Sequence, residues 1–154
     1  MSDSAQSISR TGLLLAAVVA VDQATKALVR GSVTVGEENA VFPGVQIVHV
    51  LNRGVAFGAL SGKSVVMIIV LVALAGLVVW FALHRTDPHV WIPTGMLLGG
   101  AIGNIIDRIR DGAVTDFVKI PLWPAFNLAD VAIVFGVLAL LYVLEGGDGT
   151  DKPT

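Results

Sequence analysis

The chain of 154 residues contains no cysteine, which excludes disulfides, cysteine-ligated metals and a thiol nucleophile. Charged side chains are scarce, at 14% of the residues, and the net charge of −2 leaves no basic face for a nucleic-acid partner. The three histidines are dispersed, and neither an HExxH nor a GxSxG motif occurs, so two common hydrolase signatures are missing. The inventory therefore predicts neither a cofactor nor a metal.

Hydrophobic residues, in contrast, make up 55% of the chain and are gathered in long runs. Such runs are typical of a membrane protein, because a soluble core of this size would leave more charge on its surface. The predicted helical spans are residues 11–30, 64–83, 90–106 and 126–144. The sequence therefore predicts a mainly α-helical membrane protein with four transmembrane helices in a single polytopic domain covering residues 1–154.

The segments between these runs carry different signals. Residues 31–63 combine glycine, proline and β-branched residues, which predicts a small extramembrane β-rich module between the first two helices. Residues 107–125 are predicted to form a loop, and the glycine-rich acidic residues 145–154 a disordered tail. With four spans, the loops after the first and third helices share one side. Arginine and lysine are concentrated on that side, so the positive-inside rule would place it in the cytoplasm.

Two aspartates stand among apolar residues on that side, Asp116 in VTDF and Asp130 in FNLAD. A carboxylate near hydrocarbon is costly, so each is a candidate functional group. Each also has a simpler interpretation, Asp116 as a loop acid and Asp130 as a favourable charge at a helix N-terminus. If they meet, they share a proton: one polarises a peptide carbonyl while the other takes a proton from water. The pair predicts metal-free peptide hydrolysis; a metal site that adds Asp107 is the less favoured alternative.

Further polar residues lie within or beside the predicted helices. Asp22 and Lys26 share a helix face and are interpreted as a structural ion pair in preference to a substrate contact. Asn104, Asp107 and Arg108 form one polar face at the end of the third span, where a buried amide requires partners. Small residues at four-residue intervals predict close helix packing in the same span: Gly95, Gly99 and Gly103.

Two other classes of protein compete with the peptidase interpretation. A small transporter or proton channel would distribute its acids through the depth of the membrane, whereas the main cluster here is expected at one face. A non-catalytic assembly protein would use the glycine face for helix association, which leaves the paired aspartates and asparagines unexplained.

Five sequence blocks occur in an order that is characteristic of a known family. They are DQATK at 22–26, NRGVAFG at 52–58, GGAIGNIIDR at 99–108, VTDF at 114–117 and FNLAD at 126–130. In these blocks the chain resembles bacterial lipoprotein signal peptidase (signal peptidase II), a family of membrane aspartyl proteases. The resemblance implies cleavage of a prolipoprotein on the N-terminal side of its lipid-modified cysteine, with no cofactor.

The resemblance also implies roles for individual residues. Asp116 and Asp130 match the catalytic pair of the family. The resemblance implies that Asn127 supports this pair and belongs to the substrate-binding residues. Four residues match positions that line the pocket for substrate and for the inhibitor globomycin: Asn52, Gly54, Asn104 and Arg108. Three residues match positions interpreted as mainly structural: Asp22, Lys26 and Asp107.

The implied partners are lipid-modified prolipoproteins, membrane lipids and a globomycin-type inhibitor, with no nucleic acid. The implied location is the bacterial cytoplasmic (inner) membrane, crossed several times, with the active site at the outer face and both termini in the cytoplasm. The arginine and lysine count opposes this orientation. The connection between the two aspartates is also shorter than is usual in the family and contains Pro121 and Pro124.

Overall fold

The computed structural model describes residues 2–53, 63–87 and 89–146. Over these residues the fold is mainly helical, with a small antiparallel sheet. The helices are α1 (Asp3–Ser32), α2 (Lys63–His84), α3 (Trp91–Asp111) and α4 (Leu128–Gly146). The strands are β1 (Glu38–Phe42), β2 (Val45–Asn52) and β3 (Val114–Lys119).

Helix α1 begins well before the apolar run predicted at 11–30. The side chain of Ser2 accepts a hydrogen bond from the Ala5 N–H and caps the helix. The added turns contact the segment that follows α2, where Arg85 Nε donates to Ser4 Oγ at 2.7 Å. The Arg10 guanidinium lies 5.7 Å from the centre of the Trp91 ring. The polar opening of the chain is therefore part of the helical packing.

Two helices of the described chain, α1 and α4, are long and apolar enough to cross a membrane. In each, only 17% of the most apolar 18-residue stretch is buried within the protein. A third apolar stretch, Ile68–His84 in α2, is shorter. Large apolar side chains on these helices point outwards, as shown by the 71% exposure of Leu28 and 66% of Val72. Outward-facing apolar helices suit a lipid environment and would be unfavourable in water.

Helix α3 is the central helix and packs against both α1 and α4. Its glycines allow this close approach. A Cβ on Gly99 would lie 2.8 Å from Val18 Cβ on α1, and one on Gly100 would lie 2.5 Å from the Ala129 carbonyl oxygen on α4. The packing expected from the glycine spacing is therefore present, and it brings the first turn of α4 against the last turns of α3.

The region predicted as a loop at 107–125 is largely ordered secondary structure. Helix α3 continues to Asp111 and ends at Gly112, whose φ of 68° is the left-handed conformation typical of a helix C-terminus. Strand β3 follows at once and pairs antiparallel with β2, which also pairs antiparallel with β1. The sheet thus draws two strands from the predicted β-rich segment and a third strand from beyond α3. The loop prediction was wrong for both Asp107 and Asp116.

Candidate active site

Asp116 lies on β3 and accepts two hydrogen bonds from asparagine side chains. Asn52, at the end of the paired strand β2, donates from Nδ2 to Asp116 Oδ2 at 2.9 Å. Asn127, just before α4, donates from Nδ2 to Asp116 Oδ1 at 2.7 Å. Asp116 is only 2% exposed. Burial is the main reason that the pKa of Asp116 rises to about 6, helped by the nearby charge of Asp130 and opposed by the two amide donors.

Asp130 lies in the first turn of α4 and is half-buried. Its Oδ2 accepts the backbone N–H of Asn127 at 3.2 Å, while its own N–H donates to Asn127 Oδ1 at 3.0 Å. This reciprocal pair is a capping arrangement at the N-terminus of the helix. Asn104 on α3 donates from Nδ2 to Asp130 Oδ1 at 2.8 Å. Asn127 is therefore hydrogen-bonded to both aspartates, and the structure brings Asp116 and Asp130 into one cluster.

A buried ion-pair cluster adjoins the aspartates. Lys26 is completely buried, and its Nζ lies 2.8 Å from Asp22 Oδ2 and 3.1 Å from Asp107 Oδ2. The same Nζ donates to Asn104 Oδ1 at 2.9 Å. Asp22 and Asp107 are themselves fully buried, so the cluster pairs opposite charges away from the protein surface. The ion pair between Asp22 and Lys26 that the sequence predicted is present, and Asp107 also pairs with Lys26.

The two carboxylates of this cluster also hold the elements that carry Asp116 and Asp130. Asp22 Oδ1 accepts the backbone N–H of Ala129, the residue before Asp130, at 2.9 Å. Asp107 Oδ2 accepts the backbone N–H of Thr115, the residue before Asp116, at 3.1 Å. Helix α1 is thereby tied to α4, and α3 to β3, next to each aspartate.

Sequence reasoning did not single out two further members of the cluster. Gln23 Nε2 donates to Asp22 Oδ2, Asp107 Oδ1 and the Gly103 carbonyl at 3.1–3.2 Å. Arg30 donates to Thr115 Oγ1 at 3.2 Å and lies 3.6 Å from Asp107 Oδ1. Gln23 stands within the DQATK block, but a single amide in an apolar helix gave no sign of the partners it would meet.

An apolar cavity of about 690 Å³ lies between α2, α3 and α4. It follows α4 from Asp130 to Leu144, a helical distance of about 21 Å. Its lining combines apolar side chains with Asn104, Arg108 and Asp130. Arg108 also donates to the backbone carbonyl of Asn104 at 3.4 Å. An extended apolar cavity with a few polar groups is typical of a ligand site.

The remaining predicted site residues are placed as follows. Gly54, and the tail from residue 147 onward, lie outside the described residues. Asp107 does not turn towards the two candidate catalytic acids: its oxygens take donors from Lys26, Gln23 and Thr115. A metal site formed by Asp107, Asp116 and Asp130 would need Asp107 oxygens that already accept these hydrogen bonds. In the described parts of the chain, no group of three or more histidine, cysteine, aspartate or glutamate side chains is placed to hold a metal ion.

Comparison with known proteins gives a consistent result. The family model described as signal peptidase (SPase) II matches residues 14–145. A lipoprotein signal peptidase of Moorella thermoacetica is 41% identical over 146 residues, covering 92% of this chain and 97% of that protein. One from Pelotomaculum thermopropionicum is 39% identical over 135 residues, covering 86% and 89%.

Solved structures are similar over nearly the whole chain. A bacterial membrane enzyme determined by the in meso method at 1.9 Å resolution superposes with a TM-score of 0.79 at 30% identity, covering 93% of this chain and 96% of that one. A second such structure, at 2.3 Å resolution, gives a TM-score of 0.82 at 30% identity, covering 96% and 95%. The chain belongs to the signal peptidase II family, whose members are peptidases of lipoprotein processing.

Proposed function

We propose that this protein is an aspartic endopeptidase that removes the signal peptide from diacylglyceryl-modified prolipoproteins, cutting on the N-terminal side of the lipidated cysteine. The observation that carries the proposal is the bridging position of Asn127, which is hydrogen-bonded to both Asp116 and Asp130. Two carboxyl groups held by one buried residue suit a pair that shares a proton. Family membership supports the class of substrate.

In the proposed reaction Asp116 is the protonated member and Asp130 the ionised one. Burial raises the pKa of Asp116 to about 6, which favours Asp116 as the carrier when the pair holds a single proton. Asp130 is the more exposed of the two and faces the cavity, and it stands where a helix N-terminus favours an anion. Asp130 takes a proton from a water molecule as that water attacks the scissile carbonyl, while the Asp116 proton polarises the carbonyl oxygen. The proton on Asp130 then passes to the leaving amine.

The three asparagines position the two acids. Asn52 and Asn127 donate to different oxygens of Asp116, and Asn104 donates to Asp130. Neutral amide donors hold a carboxyl group without adding a charge that would lock one ionisation state. Asp130 can therefore gain and lose a proton during the cycle. Asp22 and Asp107 keep the structural role proposed for them, since they anchor the backbone beside each acid, and Lys26 pairs with both carboxylates.

The cavity along α4 is the proposed site for the apolar part of the substrate. Its apolar lining suits the hydrophobic signal segment and the lipid, and its polar residues Asn104, Arg108 and Asp130 would meet the peptide backbone near the scissile bond. Asn52 and Asn127 would approach from the Asp116 side. A globomycin-type inhibitor would compete for the same cavity. The sheet formed by β1, β2 and β3 carries Asp116 and would cover the substrate from outside the membrane.

All four helices are proposed to cross the cytoplasmic membrane, with both termini inside and the aspartates at the outer face. Three cations on the aspartate side are engaged by acids: Arg30 with Asp107, Arg110 with Asp107 and Asp111, and Lys119 with Glu38. These ion pairs are part of the fold, which gives the three cations a reason for their position other than membrane orientation. The opposing charge count is therefore compatible with an outward-facing site.

Purified protein incubated with two forms of one precursor tests the proposal. The diacylglyceryl-modified precursor should be cut, and mass spectrometry should find the modified cysteine at the new N-terminus. The unmodified precursor should stay intact, because it lacks the lipid that anchors it in the cavity. Equal cleavage of both forms, or a cut elsewhere, would contradict the proposed specificity. Activity should also persist in EDTA, whereas a loss reversed by zinc would favour a metal mechanism.

A further inference from the structure

The ammonium group of Lys26 has one partner that charge balance does not explain. Its Nζ contacts Asp22, Asp107 and Asn104, and three N–H donors meet three acceptors. The two carboxylates already compensate the positive charge. The third contact, at 2.9 Å, is made to the neutral amide of Asn104.

That contact is the shorter of the two that Asn104 Oδ1 accepts, and it helps to fix which way the Asn104 amide faces. Asn104 Oδ1 accepts from Lys26 Nζ and, at 3.2 Å, from Asn127 Nδ2, while Asn104 Nδ2 donates to Asp130 Oδ1. If the two ends of the amide were exchanged, its NH2 group would face both donors and its oxygen would face the carboxylate. A lysine ammonium can only donate, so Lys26 opposes the exchanged orientation, together with the Asn127 amide donor and the Asp130 carboxylate.

We propose that Lys26 is a positioning residue for the aspartate pair, acting by holding the Asn104 amide in the orientation that donates to Asp130. The inference rests on the proposed function, because it assigns a role within the same site. Lys26 is fully buried and therefore acts through its neighbours. Its influence also reaches Asp116, since Asn127 Nδ2 donates both to Asn104 Oδ1 and to Asp116 Oδ1.

The test removes the orienting donor while limiting the charge imbalance. A single Lys26→Met change would leave two buried carboxylates without their ammonium, so the main variant is Asp22→Asn with Lys26→Met, compared with Asp22→Asn alone. We expect the double variant to fold and to bind precursor with an unchanged KM, while kcat falls about 10- to 100-fold because the acid is misplaced. Lys26→Arg retains a cation that can only donate hydrogen bonds. Its kcat should therefore be higher than that of Asp22→Asn with Lys26→Met. Equal kcat for Asp22→Asn and the double variant would overturn the proposal.

A double-mutant cycle then separates positioning from general support of the fold. In an Asn104→Ala background, the change at Lys26 should cause no further loss of kcat, because its target is already absent. Single-turnover cleavage with enzyme in excess keeps slow variants measurable. An equal loss in both backgrounds would show that Lys26 does not act through Asn104 and would overturn the proposal.

Arg110→Gln is the matched control. Arg110 joins the same ion-pair cluster through Asp107, at 3.3 Å, and also pairs with Asp111 at 2.8 Å. It should leave kcat unchanged, and a loss as large as that at Lys26 would point to general loosening instead of positioning. Failure of the proposed function is distinguishable: it would appear as normal processing by Asp116→Asn or Asp130→Asn, whatever the cycle gives.

Discussion

Asp116 and Asp130 share Asn127 as a partner but have different surroundings. Asp116 is 2% exposed on a strand, between two amide donors from side chains. Asp130 is half-buried at a helix N-terminus, accepts a backbone N–H and faces the cavity. Different environments are what separate an acid from a base within a pair of like residues. The sequence already marked both residues by the cost of a carboxylate near apolar side chains, but this asymmetry required the structure.

The charge of Asp130 is one cause of the raised pKa of Asp116. Asp130→Asn removes that negative charge, so ionising Asp116 becomes easier and its pKa should fall from about 6. Titration followed by the carboxyl carbon signal of Asp116, in protein labelled with 13C at aspartate and held in detergent micelles, measures the change. A midpoint that stays the same or rises would contradict the electrostatic coupling of the two acids.

Asn127 and Gln23 show the limit of residue-level prediction. Asn127 was identified by its spacing from Asp130 and by the FNLAD block, and it proved to bond both aspartates. Gln23 was passed over, although it bonds Asp22, Asp107 and the backbone of Gly103. Its partners on α3 are more than 75 positions away in the chain, and spacing along one helix carries no information about them.

At the scale of the elements, α3 determines where the site forms. Its glycines let α1 and α4 approach, and its last turns carry Asn104, Asp107 and Arg108 towards the sheet. The four-residue glycine spacing was visible in the sequence and correctly predicted close packing. Strand β3 was not predicted, because its partner residues on β2 lie 62–73 positions earlier in the chain and a single strand of six residues is a weak local signal.

Gly100→Ala tests the close contact between α3 and α4. The added Cβ would lie 2.5 Å from the Ala129 carbonyl oxygen and 2.8 Å from Ile133 Cγ1, so the first turn of α4 must move and take Asp130 with it. We expect a loss of about 1–3 kcal/mol in the free energy of unfolding and a lower kcat. Thermal unfolding in detergent and precursor cleavage measure the two effects.

Gly12→Ala is the control for that change. It makes the same substitution within a helix, but the added Cβ meets nothing within 4 Å. It should leave kcat unchanged and stabilise the protein by up to about 1 kcal/mol through helix propensity. If Gly100→Ala behaved like Gly12→Ala, tight packing at Gly100 would not be needed to place Asp130.

At the scale of the whole molecule, the absence of cysteine makes the membrane orientation directly measurable. Asn39→Cys on β1 and Thr86→Cys between α2 and α3 place single thiols at exposed positions. With both termini in the cytoplasm and four crossings, a membrane-impermeant maleimide should label residue 39 in intact cells. It should label residue 86 only after permeabilisation.

The opposite labelling pattern would support the orientation given by the arginine and lysine count and would contradict an outward-facing site. Labelling of both residues in intact cells would contradict the four-span arrangement, because the two positions are then on the same side. The long apolar runs in the sequence predicted the membrane class, and they could not decide the orientation, since cations needed for ion pairs contribute to the same count.

The central claim, that Asp116 and Asp130 together activate water, is tested most directly by replacing each acid separately and measuring cleavage of a lipid-modified precursor. Asp116→Asn and Asp130→Asn should each insert into the membrane and lower kcat by at least about a thousandfold, since an amide can neither take nor give the proton. Asp111→Asn makes the same substitution at an acid whose partner is Arg110, and it should cleave normally. Normal processing by either Asp116→Asn or Asp130→Asn would contradict the account.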